Sequence, residues 1–159
     1  MGNEFVPADW EPPVSFDGLG FRLEPLSPAH NERDHEAWSS SMHHIHSTPG
    51  EWGDWPRPMT LAQNLVDLER HACEFADKEA FTYSILDGDV IGCPYIYPDD
   101  DGETDAYNSS WVAARRSDID AVVWGSVSAW LAQDWPFREF RYSARPERSN
   151  PLVDDVISR

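Results

Sequence analysis

The sequence predicts a mixed α/β domain, in which a mostly antiparallel sheet is flanked by helices and one crossover leads to a parallel strand. Three observations carry this expectation. Residues 60–77 hold the clearest helical periodicity in the chain. Three strand-like segments then follow in succession, AFTYSILD, VIGCPYIYP and AYNSSWV. A second helical pattern over 118–133 finally leads into a short apolar run ending at Tyr142.

Each element has its own signal. Residues 1–18 are proline-rich and aperiodic, which predicts an arm anchored by Phe5, Trp10 or Phe16, ahead of a single domain over 19–159. FRLEPL alternates Phe21, Leu23 and Pro25 against Arg22, Glu24 and Leu26, a first strand ended by Pro25. Ser27-Pro28 is a helix start, with the helix expected to run from 28 to about 42 on a thin stripe of Trp38 and Met42. Residues 43–59 are expected to be an irregular loop. Thr60 and Gln63 then form a capping box, and Leu61, Leu65, Leu68, Ala72 and Phe75 mark one helical face.

Asp87-Gly88 turns the next two strands into a hairpin, with Phe81, Tyr83 and Ile85 on one face. Gly92 and Pro94 in the returning strand point to a bulge or an unpaired edge. The acidic stretch 98–105 reads as a solvated connection to the third strand, 106–112. In the helix over 118–133, Ile119, Val122, Val123, Ser126, Val127 and Trp130 are expected to face inward. The chain then turns at Pro136 into a last strand, Phe137 to Tyr142. Trp38, Trp124, Trp130 and Trp135 are expected in the core or at its rim.

Composition excludes some functions. At 159 residues the chain can bury a two-layer core. Its net charge of −17 leaves no basic patch for a general nucleic-acid binder. The charge fits a cationic substrate, high solubility or an acid-rich proteome equally well. Lys78 is the one lysine beside eleven arginines, which favours the last. No apolar run approaches the ~20 residues of a membrane span, and no signal-peptide pattern is present, so no membrane and a cytoplasmic location are expected. Cys73 and Cys93 lack metal-like spacing and are expected as free thiols.

The junction WVAARRSDIDAVVW, 111–124, carries two arginines and two aspartates but no glycine. Ser117 followed by Asp120 resembles a capping box, and acids in a first turn suit the helix dipole by ~0.3–1 kcal/mol each. Arg115 and Arg116 could pair with Asp118, Asp120 or the 99–105 loop, or reach an anionic ligand.

FRLEPLS, FTYSILDGDVIGCPYIYP, SSWVAARRSDIDAVVWGSVSAWL and WPFREFRY, in this order and spacing, resemble the GNAT superfamily of acetyl-coenzyme A-dependent N-acetyltransferases. The resemblance spans Phe21 to about Tyr142. It implies an acetyl-CoA cofactor and acyl transfer by direct attack of an amine, borne by a small molecule or a peptide. The strand backbone at Ser110, Trp111 and Val112 would hold the pantetheine arm. Arg115, Arg116, Ser117 and Ala121 would border the pyrophosphate at the helix start. The junction departs from the family pattern: Ile119 stands for the first glycine, and Asp118 and Asp120 add negative charge. The family also continues with a helix and hairpin, against which only 143–159 remain, so that part is expected to be missing or reduced. The open sheet edge would favour a homodimer. The alternative reading is a non-catalytic GNAT-fold protein that binds a partner or small ligand and has lost its cofactor.

Acetyl transfer also needs a general base. The glutamate often found on the family's central strands is absent, and the third strand offers Asn108, Ser109 and Ser110. His43, His44 and His46 could serve from the loop that lines the acceptor pocket in similar proteins, but no catalytic residue is assigned. With His35 and Glu36 nearby they also invite a metal reading, yet the spacing fits no standard site and no metal is expected. Trp52 and Trp55 form either an aromatic platform for an amine or a staple holding the loop to the core.

Overall fold

The computed structural model describes residues 4–145. Its strands lie in one sheet in chain order, β1 (Phe16–Asp17), β2 (Arg22–Pro25), β3 (Phe81–Asp87), β4 (Asp89–Pro98), β5 (Ala106–Val112) and β6 (Phe140–Tyr142). Neighbours are antiparallel through β5, and β6 joins β5 in parallel after a helical crossover. The expected sheet is therefore observed. The anticipated bulge is also present: Ile85 pairs with Gly92 but Leu86 with Val90, leaving Ile91 as the extra residue. Gly92 is required there, because a side chain would run into the Trp111 carbonyl oxygen on β5.

Helices α1 (Asn31–Ser39), α2 (Met42–His46), α3 (Leu61–Ala76) and α4 (Asp120–Asp134) complete the fold. The bulge and the two-residue period of the strands divide the core between the two faces of the sheet. On one face Phe81, Tyr83 and Ile85 pack with Val123, Val127 and Trp130 of α4. On the other, Cys93 and Trp111 pack with Trp38 of α1, Ile45 of α2 and Leu68 of α3. The N-terminal segment lies on the α4 face: Trp10 packs on Trp135 and Phe16 on Trp130, each pair 4.8 Å between ring centroids. Trp38, Trp130 and Trp135 are buried, and Trp124 sits half-buried at the rim.

Several expectations are corrected. The helix expected over 28–42 is a 3-10 turn, Pro28–His30, followed by α1 and a separate α2. A run of serines makes the break: the Ser40 hydroxyl donates to the Glu36 and Ala37 carbonyls, drawing the backbone away from helix continuation. Residues 43–46, expected as loop, are thus helical. In α3 the capping box forms as expected, Gln63 N–H to Thr60 Oγ1 at 3.1 Å and Thr60 N–H to Gln63 Oε1 at 2.9 Å. Leu61, however, is 44% exposed, because it sits in the first turn beyond the sheet's cover. Val122 is 38% exposed, about 100° round the helix from the buried line of Ile119, Val123 and Val127.

The last strand is shorter than Phe137–Tyr142. Asp105 draws residues 138–139 into a turn by accepting the Arg138 N–H at 2.7 Å and donating its own N–H to the Glu139 carbonyl. Nor is the acidic loop wholly solvated. Asp99 is enclosed by Arg141 and Thr104, whose hydrogen bonds pull its carboxyl pKa down to about 2. No helix among the described residues is long and apolar enough to cross a membrane. The expectations for residues 146–159 lie outside the described residues.

Candidate functional site

Two places meet the sequence-based site residues: the gap where β5 parts from β6, and a cavity between α1, α3 and β4. Pairing of β5 with β6 runs only from Ala106↔Phe140 to Asn108↔Tyr142, so the β5 edge from Ser109 to Val112 is free of β6. Alternation then sorts the three residues expected there. Ser110 faces the gap, Trp111 turns to the α1 face, and Val112 enters the α4-side core.

The gap is filled by Arg145, whose side chain is 2% exposed. Its Nε and Nη2 donate to the two carboxylate oxygens of Asp120 at 2.6 and 3.1 Å. Nη2 also donates to the Ser110 carbonyl at 2.8 Å, and Nη1 to the Ser143 carbonyl at 3.0 Å. The Ser110 hydroxyl meets the hydroxyl of the half-buried Tyr142 at 2.5 Å. Burial pushes the Tyr142 pKa up.

At the junction a 3-10 turn, Ala114–Ile119, precedes α4. The self-capping expected of Ser117 does not occur, because helical winding starts earlier and Ser117 lies inside this turn rather than ahead of it. Replacing Ser117 by alanine should therefore shift stability by no more than about 0.5 kcal/mol, the range of a neutral surface change. Chemical denaturation would check this. Arg116 pairs with Asp87 at 2.7 Å and Asp118 at 3.5 Å, and Arg115 with Asp89 at 3.8 Å. Both arginines thus turn to the β3–β4 hairpin. Ser41 Oγ accepts the Ala114 N–H at 2.8 Å, and Ala121 lies half-buried in the first turn of α4.

These residues do not fit coenzyme A as they stand. A pyrophosphate needs free N–H donors and unpaired cations. Here Arg116 is hydrogen-bonded to Asp87, the Ala114 donor is taken, and Asp118 and Asp120 stand at the helix start. The Ser110 carbonyl already has a donor.

The cavity measures about 390 Å³. Trp52, Trp55, Tyr95, Tyr97 and Tyr107 supply its aromatic walls. Trp52 lies 6.1 Å from Trp55 and 6.0 Å from Tyr95 between ring centroids. Trp55 also packs on Trp38 and Trp111, so the loop tryptophans wall the cavity and staple the loop at once. Four carboxylates line it, Asp34, Glu51, Asp54 and Asp67, against two arginines, Arg57 and Arg70. His71 lines it too, and burial lowers its pKa to about 4, leaving the ring neutral near pH 7.

The histidine run does not share this cavity. His43 and His46 are exposed on α2, His44 is half-buried, and His46 Nε2 lies 2.7 Å from the Pro56 carbonyl. Among the described residues no cluster suited to a metal ion occurs. Sequence reasoning missed Asp34, Asn64 and His71, and the tyrosines of β4 and β5. A signal existed: Asp34 and Asn64 each stand four residues before a buried apolar residue, Trp38 and Leu68, on the inner face of a helix.

No family model matches the sequence, and a search of curated proteins finds no match. Solved structures do match. RimJ of Mycobacterium smegmatis, in complex with CoA-disulfide, aligns with a TM-score of 0.67 at 18% identity, over 91% of this chain and 73% of that one. RimL, a ribosomal L7/L12 alpha-N-protein acetyltransferase, aligns at 0.62 and 12% identity over 92% and 76%. The ribosomal-protein-S5-alanine acetyltransferase of Vibrio fischeri aligns at 0.56 and 12% identity over 76% and 68%. These are GNAT acetyltransferases, and the likeness shows that this chain has their fold.

Proposed function

We propose that this GNAT-fold chain binds an amine-bearing small molecule or peptide in the aromatic cavity, without acetyl-coenzyme A as co-substrate. Arg145 carries the second half of the reading. Its guanidinium fills the β5–β6 gap and holds the Ser110 carbonyl on which a pantetheine arm would rely. Asp118 and Asp120 add charge repulsion toward a pyrophosphate.

The first half rests on the walls. Aromatic faces attract a cation by about 0.5–2 kcal/mol each, and carboxylates in excess of arginines make the cavity's own field favour an amine. The net charge of −17 would steer cations toward the protein as a whole.

A second reading, N-acyl transfer to the same amine, is supported by the fold shared with acetyltransferases, one of them solved with CoA-disulfide. Under it, Ser110, Arg115, Arg116 and Ala121 would have to rearrange around the cofactor. Tryptophan fluorescence tests the leading reading, since Trp52 and Trp55 wall the cavity. Titration with phenethylammonium should give a saturable change and phenylacetate none. Equal responses to both, or none to either, would overturn it. Thiol release from acetyl-CoA in the presence of the amine would establish the second reading instead.

A further inference from the structure

Asp34 is the most buried acid among the cavity's lining residues, 4% exposed on the inner face of α1. Its Oδ2 accepts the Asn64 Nδ2–H at 3.0 Å, and its Oδ1 meets only the Cys93 thiol at 3.6 Å. Among the described residues no arginine or lysine pairs with it. The cavity's two arginines are held by Asp54, Asp67 and Glu74. A carboxylate has about four acceptor sites, so most of Asp34's capacity is unfilled. Burying such a group without a cation is unfavourable, and an amide of the same shape would be easier to bury.

Its setting is rigid. Asn64, which holds the carboxylate, is fixed in turn by Asn31 Oδ1 at 2.9 Å and by the Trp38 indole N–H at 3.1 Å. An acid buried without a cation and lining a cavity is a candidate for contact with a ligand.

We propose that Asp34 reads the N–H donors of the ligand: it pairs with a primary or secondary ammonium whose carbon skeleton lies among Trp52, Trp55 and Tyr95. This rests on the amine-binding reading above and sharpens it from any cation to one with N–H donors. A quaternary ammonium would meet the aromatic faces but could not hydrogen-bond to Asp34. Burial raises the Asp34 carboxyl pKa, as expected for an acid lacking its cation, and a bound ammonium would draw it down again.

The test is Asp34→Asn, titrated with phenethylammonium and with tetramethylammonium while melting of the free protein is followed in parallel. Phenethylammonium should bind the variant roughly 10–100-fold more weakly, the loss for one charged hydrogen-bonded contact. Tetramethylammonium keeps only the through-space attraction to lose, so its affinity should fall far less, and the free variant should melt at the same temperature or higher. In the wild-type protein the Asp34 carboxyl ¹³C resonance should shift on adding phenethylammonium. Unchanged phenethylammonium affinity, a parallel loss for tetramethylammonium, or a lowered melting temperature would each overturn the role of Asp34 while leaving amine binding intact. A wild-type protein that binds no amine would overturn both.

Discussion

Trp111→Ala is expected to remove about 3–5 kcal/mol of stability, the range for deleting a fully buried large aromatic side chain. The indole is 0% exposed on β5, joins the core against α1 and α3, and lies 6.0 Å from the Trp55 ring. Its N–H also donates to the Tyr95 hydroxyl at 2.8 Å. Alanine would open a void behind the cavity wall and leave the hydroxyl of the half-buried Tyr95 without its donor. Since small domains hold only about 5–15 kcal/mol in total, the variant should sit near the edge of folding. Urea denaturation would show the midpoint falling steeply. Trp111→Phe keeps most of the ring and loses the donor, so its fall should be clearly smaller. An equal fall in both would mean that the hydrogen bond, not the packing, dominates.

The second large effect is at Arg145. Breaking a buried ion pair by removing one partner typically costs about 3–5 kcal/mol, because the other charge is left uncompensated. Arg145→Met would strand Asp120, whose side chain is 18% exposed. Adding Asp120→Asn should restore much of the loss, since the stranded charge is gone. The double-mutant cycle, read by the same denaturation, should therefore show strong coupling. Additive effects would mean that Arg145 fills the gap by packing on Ser110 and Tyr142 rather than through its charge.

Much of the fold was legible because its signals are local. The capping box of Thr60 and Gln63, the Asp87-Gly88 turn and the two-residue period of 106–112 each act within a few residues. What escaped depends on contacts far apart in sequence. Asp105 shortens β6 from 33 residues away. Arg145 reaches Ser110 across 35 residues, and nothing in the local pattern points it there. Ser117 had the right chemistry for a cap, but the chain had begun to wind three residues before it. The histidines drew notice by their clustering, yet α2 carries them away from the cavity that Trp52 and Trp55 wall. Asp34 and Asn64 were readable as polar residues on apolar faces, but only the packing of α1 against α3 brings them together at one cavity.

The most direct measurement is calorimetric titration of the wild-type protein with acetyl-coenzyme A, at moderate and at high salt. With the β5–β6 gap filled by Arg145, Arg116 hydrogen-bonded to Asp87 and two aspartates at the helix start, no binding heat is expected at either salt. Saturable binding at micromolar concentration would show that the gap opens and the junction accepts a pyrophosphate, and would contradict the account.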